Sequence, residues 1–200
     1  MRQMCNAPRR ILAAVALAMI GQMGLADPLH KGGGEGAYRH EDSGWVFPKQ
    51  IGAFARVGAP YTIDGNNDVG AEYEKAMDDV RATAVVEVYS SDSAAEHAKL
   101  TTSKAAVESK SGPSGRVQSE DPFVIENKPE LAGVRVTYTT DPEVKGSRTS
   151  LYLLRTEQWI VNIRTTTDGV DASKLFDDFV RDLRWETLGV DPGDLHRAGP

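Results

Sequence analysis

The chain has 200 residues, a formal net charge of −6 and a single cysteine. An acidic chain without a basic cluster is a poor partner for phosphate backbones, so we expect no nucleic-acid binding. A single cysteine rules out an internal disulfide. The segment that contains Cys5 is predicted to be cleaved off, so a zinc site in the mature chain would have to be built from histidines and carboxylates.

The N-terminal segment has the organisation of a secretory signal peptide. Three arginines, Arg2, Arg9 and Arg10, make a basic start. The apolar run of residues 11–20 is shorter than the ~20 residues that a membrane-spanning helix needs. Small residues at positions 24 and 26, the two that signal peptidase reads, predict cleavage after Ala26. We therefore expect an exported protein, periplasmic or secreted; an uncleaved membrane anchor is the alternative.

Cleavage would remove three arginines and no acidic residue, which takes the net charge from −6 to −9. The segments predicted after residues 1–26 are a flexible glycine-rich leader at 27–44, a single domain at 45–188 and a flexible tail at 189–200. The leader is too polar to offset the entropy lost on ordering. No second long apolar run follows, so no membrane span is predicted in the mature chain.

Six stretches in the domain are predicted as strands. Most alternate between apolar and polar residues with a period of two, which is typical of strands that bury one face. Residues 150–154 are instead apolar at successive positions, which indicates a central strand covered on both faces. In chain order the six stretches are 53–63, 69–75, 80–89, 134–139, 150–154 and 159–164.

Two helices are predicted. The first begins at Ser93 and Glu96, which have capping-box spacing, and ends before Gly112. The second is capped by Asp171 and has one apolar stripe, formed by Leu175, Phe176, Phe179, Val180 and Leu183. We expect this stripe to pack against the apolar face of the last strand, which carries Trp159, Val161 and Ile163.

The order strands, helix, strands, helix, with short polar links between strands, favours antiparallel pairing. We therefore predict an α+β fold in which helices pack on an antiparallel sheet of about six strands. The stretches WVFPKQIGAFAR (residues 45–56), WIVNIRTTT (159–167) and FDDFVRDLRW (176–185) resemble small exported bacterial proteins without an assigned activity. Their pattern is also similar to the PsbP, Mog1 and DcrB fold. This resemblance implies an α/β/α sandwich that serves as a non-enzymatic binding or assembly accessory.

Asp64, Asn66 and Asp68 alternate as the first ligands of an EF-hand calcium loop do. An EF-hand needs glycine at the sixth position and glutamate at the twelfth, where this chain has Val69 and Lys75. We interpret the segment as a hairpin turn, with weak calcium binding as the alternative.

Other candidate motifs are weak. The GGGEGA stretch at 32–37 contains a dinucleotide-type glycine pattern, but no strand precedes it, so no cofactor is predicted. The histidines and carboxylates of residues 30–42 could hold a metal only loosely, and no metal site is predicted.

One group of polar residues remains as a candidate binding site. If the valines of each strand face the core, the other face carries Glu72, Glu74, Arg81, Glu87, Tyr89, Arg135, Asn162 and Arg164. These residues form either a solvated face with weak ion pairs or a binding groove. In the groove hypothesis, Arg135 and Arg164 hold an anionic group and Tyr89 stacks beside it.

The main functional hypothesis is a soluble, exported, non-catalytic domain that binds an envelope protein or a small ligand. An envelope hydrolase with an unrecognised active site is the alternative. A structural accessory that only occupies an assembly is a third possibility.

Overall fold

The computed structural model describes residues 29–31, 36–63, 68–77, 80–91, 95–111, 116–126, 128–139, 147–168 and 172–189. The predicted signal peptide, the proposed capping residue Asp171 and most of the predicted calcium or turn segment, residues 64–67, lie outside these ranges. Strands account for 63% of the structure and its two helices for 19%.

The strands are short at the N-terminus and long in the body of the domain. Four short ones come first: β1 (Leu29–Lys31), β2 (Tyr38–His40), β3 (Val46–Phe47) and β4 (Gln50–Ile51). Seven longer ones follow: β5 (Phe54–Ile63), β6 (Asp68–Met77), β7 (Val80–Ser90), β8 (Arg116–Ile125), β9 (Lys128–Thr139), β10 (Ser147–Arg155) and β11 (Trp159–Asp168). The helices are α1 (Ala95–Ser111) and α2 (Ser173–Arg181), and a 3-10 turn covers Trp185–Thr187.

A large antiparallel sheet dominates the molecule, with its eight strands in the order β4-β5-β6-β7-β11-β10-β9-β8. Strands β4 to β7 form one meander and β8 to β11 form a second. The two meanders join where β7 pairs with β11. Helix α1 carries the chain from β7, in the middle of the sheet, to β8 at its edge. Strands β1, β2 and β3 form a separate small sheet.

The predicted α+β class, with the α/β/α sandwich that the resemblance implied, is wrong. The protein is mostly β, because the sheet has eight strands rather than about six. Strand β8 escaped prediction because it contains Pro122 and most of its residues are exposed, so apolar alternation is weak. An edge strand tolerates proline, since one side of its backbone needs no partner in the sheet. Strand β4 has only two residues.

The main core lies between one face of the sheet and α2. The predicted packing is confirmed: the apolar stripe of α2 shares one buried cluster with Trp159, Val161 and Ile163. At its centre the Phe179 ring lies 4.7 Å from the Phe54 ring, measured between centroids. The N-cap of α2 is Ala172, which makes no side-chain capping bond, so α2 depends on this packing.

The opposite face of the sheet carries two smaller apolar clusters under α1. Val107 of α1 packs with Val136, Tyr138 and Leu151. Residues 151–154 are all buried, which confirms the prediction of a central strand covered on both faces. Helix α1 covers this face with few large side chains, because its sequence is rich in alanine, serine and threonine. A thin cover of this kind leaves space between the helix and the strands.

The small N-terminal sheet is hydrogen-bonded to residues 187–189. His40 is buried, and its Nδ1 lies 2.7 Å from Ser43 Oγ. The backbone N–H of Gly189 donates to the Ser43 carbonyl at 2.7 Å, and the N–H of Val46 donates to Thr187 Oγ1 at 3.1 Å. Residues 38–47, part of which was assigned to the leader, therefore pack against the C-terminal turn.

Candidate functional site: a groove between helix α1 and the sheet

A groove of about 180 Å³ lies between α1 and the strands β7, β10 and β11. Three small residues of α1 form one wall, and the neighbouring strands form the floor. The lining residues, which we call the α1 groove, are Glu87, Tyr89, Thr102, Ser103, Ala106, Leu151, Asn162 and Arg164. Polar groups therefore converge on a concave surface with an apolar floor at Leu151, as in many ligand sites.

Hydrogen bonds connect the two strands and the helix at the base of the groove. Glu87 Oε2 accepts from the Tyr89 hydroxyl at 2.7 Å and from Asn162 Nδ2 at 2.9 Å. Asn162 Nδ2 also donates to Ser103 Oγ at 3.2 Å. Asn162 lies directly opposite Glu87 in the β7–β11 register, so the backbone pairing sets this geometry.

The side-chain oxygen of Asn162 is the unusual atom of the groove. Asn162 is only 4% exposed, and its Oδ1 has no hydrogen-bond partner in the structure. The amide cannot be flipped to relieve this, because the carboxylate of Glu87 accepts hydrogen bonds and requires the NH₂ group of Asn162 to face it. A buried acceptor without a donor costs about 1–3 kcal/mol. The accessible surface of this oxygen is close to zero, so a ligand in the groove does not reach it.

Arg164 lies two residues beyond Asn162 on β11 and faces the same groove. Its register partners are Leu151 on β10 and Val85 on β7, so no carboxylate is directly opposite. Among the described residues, no ion pair or hydrogen bond neutralises the Arg164 guanidinium. The half-buried Arg164 therefore gives the groove one positively charged end.

Two tyrosines report on the electrostatics of this region. Burial raises the pKa of Tyr89, and the Glu87 carboxylate raises that pKa further. Tyr89 therefore stays protonated and can donate to Glu87. Burial also raises the pKa of Tyr61, with Glu87 adding to the shift and Arg164 opposing it. Both charges of the groove thus act on the same neighbouring phenol.

Arg135, the third residue predicted for the groove, lies on the opposite face of the sheet. Its Nη1 forms an ion pair with Asp177 of α2 at 3.3 Å, and its guanidinium lies 5.8 Å from the centre of the Phe123 ring. The hydroxyl of Tyr152 donates to the same carboxylate at 2.9 Å. Arg135 therefore helps to hold α2 on the sheet and does not meet Arg164 and Tyr89.

The assumption that all valines face one core explains the misplacement. Val86 and Val88 of β7 face α2, whereas Val136 of β9 faces α1. Both sheet faces carry apolar clusters, so the polar residues of different strands point to different faces. Elsewhere on the α1 face, Arg81 pairs with Glu74 at 3.1 Å and is largely exposed, as the solvated-face interpretation expects.

Sequence reasoning missed Thr102, Ser103 and Ala106, the α1 wall of the groove. The available signal was the run of small residues in the first helix, which allows close approach to a sheet but leaves space where larger side chains would pack.

The other candidate sites from the sequence have less structural support than the α1 groove. Asp68, a ligand only in the alternative calcium interpretation, accepts a hydrogen bond on Oδ1 from the Ser90 N–H at 3.1 Å, so it caps the neighbouring strand. In the ranges that the structure covers, no group of three or more potential ligands is placed to hold a metal ion. The same ranges contain no helix with the length and apolarity that crossing a membrane requires.

No protein-family model and no curated protein matches the chain.

Proposed function

We propose that the protein is an exported, non-catalytic domain of the cell envelope that binds a small ligand in the α1 groove. Arg164 would hold an anionic group of that ligand. The observation that carries the proposal is a half-buried arginine, Arg164, that lines a concave site and has no ion-pair partner among the described residues.

Arginine suits this role because its planar guanidinium can donate two parallel hydrogen bonds to a carboxylate or phosphate. Leu151 and Val85 flank it and exclude water from part of its surface, which strengthens a charge interaction relative to open solvent.

A binding role also fits the way in which the polar groups of the groove are used. Glu87 accepts two hydrogen bonds through one oxygen, and Ser103 accepts one from Asn162. These contacts hold the side chains in place, which lowers the entropy lost when a ligand binds.

The Arg164→Ala variant tests the anion site. Acetate and inorganic phosphate serve as probes, titrated at constant ionic strength and followed by amide chemical shifts in NMR spectra. Loss of a hydrogen bond to a charged group costs about 1.5–3 kcal/mol, so we expect affinity to fall by roughly ten- to a hundredfold. The melting temperature should barely change, because Arg164 makes no ion pair with a described residue.

Arg81→Ala is the matched control. It removes the same charge from the same sheet face, but Arg81 lies outside the groove and is paired with Glu74. Anion affinity should stay within about twofold of the wild type, since screening weakens distant surface charges. Equal weakening in both variants, or no anion-dependent shift near Arg164, would overturn the proposed anion site.

Export has its own test. Residues 1–26 predict a cleaved signal peptide, so N-terminal sequencing of protein recovered from its native cell should begin at Asp27. A chain that begins at Met1 and sediments with membranes would contradict the exported location and leave the groove argument unchanged.

A further inference from the structure

We infer that the ligand of the α1 groove is a small zwitterion, an amino acid whose ammonium group meets the Glu87 carboxylate while its own carboxylate meets Arg164. This inference rests on the proposed function and deepens it by naming the ligand class.

Glu87 supplies an acceptor on the lining of the groove. It receives hydrogen bonds from Tyr89 and Asn162 on Oε2, which leaves Oε1 able to accept another. Asn162 Oδ1 has almost no accessible surface, so it does not face the ligand. A carboxylate oxygen without a donor among the described residues favours an ammonium group, which has three donors and a positive charge.

Glu87 and Arg164 line the same groove, on the neighbouring strands β7 and β11. Among the described residues, no ion pair joins the Glu87 carboxylate to the Arg164 guanidinium. A molecule that carries both an ammonium and a carboxylate complements both charges.

Other ligand classes fit less well. A phosphate or a dicarboxylate would place negative charge beside Glu87, and a simple amine would place positive charge beside Arg164. A neutral sugar would leave the Arg164 charge without a partner, at a cost in binding free energy.

The volume of the groove indicates a small ligand. At about 180 Å³ it is smaller than the roughly 300–1,000 Å³ of pockets that hold drug-sized molecules. Glycine, β-alanine and 4-aminobutyrate are suitably small probes, and both α- and ω-amino acids share the required chemistry.

The test titrates the purified protein with glycine, β-alanine and 4-aminobutyrate, and with acetate and methylammonium as single-charge probes. We expect at least one amino acid to bind about tenfold more tightly than either single-charge probe, because it makes both charge-assisted contacts. Among them, the best ligand identifies the preferred spacing of the two charges. The side-chain amide signals of Asn162 should shift with that amino acid and stay in place with acetate.

The Glu87→Gln variant tests the contribution of the Glu87 charge separately from that of Arg164. Glutamine keeps the shape and can still accept from Tyr89, but it removes the negative charge. We expect amino-acid affinity to fall about tenfold while acetate affinity is unchanged or higher. Glu74→Gln, on the same sheet face outside the groove, is the control and should alter neither affinity. The Asn162 amide signals of the wild-type protein supply the decision if Glu87→Gln proves unstable.

The outcomes distinguish the two proposals. If acetate binds as tightly as the amino acids and Arg164→Ala weakens both, the zwitterion inference is wrong and the anion site stands. If no probe binds in an Arg164-dependent way, the proposed function falls, and the zwitterion inference falls with it.

Discussion

Replacing Phe179 by alanine should lower the free energy of unfolding by about 3–5 kcal/mol. Phe179 is 2% exposed, and its ring lies 4.7 Å from Phe54 and 5.5 Å from Tyr73, measured between centroids. The change removes contacts from two strands at once and leaves a cavity between α2 and the sheet. Urea unfolding followed by tryptophan fluorescence would measure the loss, which is a large part of the stability of an ordinary domain.

The control is Val117→Ala on the edge strand β8, where the side chain is 45% exposed. Truncation of an exposed side chain should change stability by about 0.5 kcal/mol or less. A Phe179→Ala protein that unfolds at the wild-type urea concentration would show that α2 does not cover the main core.

Gly133→Ala should be at least as damaging as many core truncations, with an expected cost of about 3 kcal/mol. A β-carbon at this position would lie 1.9 Å from the carbonyl oxygen of Leu153, which is backbone and cannot rotate away. Relief requires β9 to move relative to β10, which breaks hydrogen bonds between two inner strands. Glycine in a strand often marks such a close approach of another backbone. The unfolding midpoint in urea should fall accordingly.

Gly70→Ala is the matched control for this experiment. A β-carbon at Gly70 would also be too close to its neighbour, at 2.8 Å, but the neighbour is the far end of the Tyr61 side chain. Tyr61 is 43% exposed, so its ring can turn toward solvent. We expect a change within about 1 kcal/mol, because alanine also restricts the unfolded chain. If both variants lose stability equally, the β9–β10 contact is not the cause.

Six of the seven long strands of the sheet and both helices could be predicted from local pattern. The apolar run of residues 150–154 predicted a strand buried on both faces, and the stripe that includes Phe176 and Phe179 predicted the face of α2. These signals are local because a side chain on a regular helix or strand repeats its direction at a fixed interval. Strand β8 lacked such a signal, because an exposed edge strand has little apolar surface to bury.

The fold class depends on the number of strands, and local sequence pattern did not predict that number correctly. Prediction placed about six strands under two helices, whereas the structure adds β8 and the two-residue β4 to the sheet. Short and exposed strands are held by backbone hydrogen bonds to a neighbour, which are the same for every residue type except proline. Their existence therefore depends on a partner strand that only the folded chain supplies.

In the candidate site, too, the sequence determined one part of the geometry and the tertiary structure determined the rest. The sequence by itself determined that Asn162 and Arg164 share a strand face and that Arg135 faces away from Val134 and Val136. Only the tertiary structure decided that Arg164 joins Glu87 and Tyr89 under α1, and that Arg135 pairs with Asp177 beneath α2. Alternation reveals which neighbours in one strand oppose each other, but strand register and helix placement determine which face each set occupies. The unpartnered oxygen of Asn162 likewise exists only because β7 brings Glu87 to the other end of the same amide.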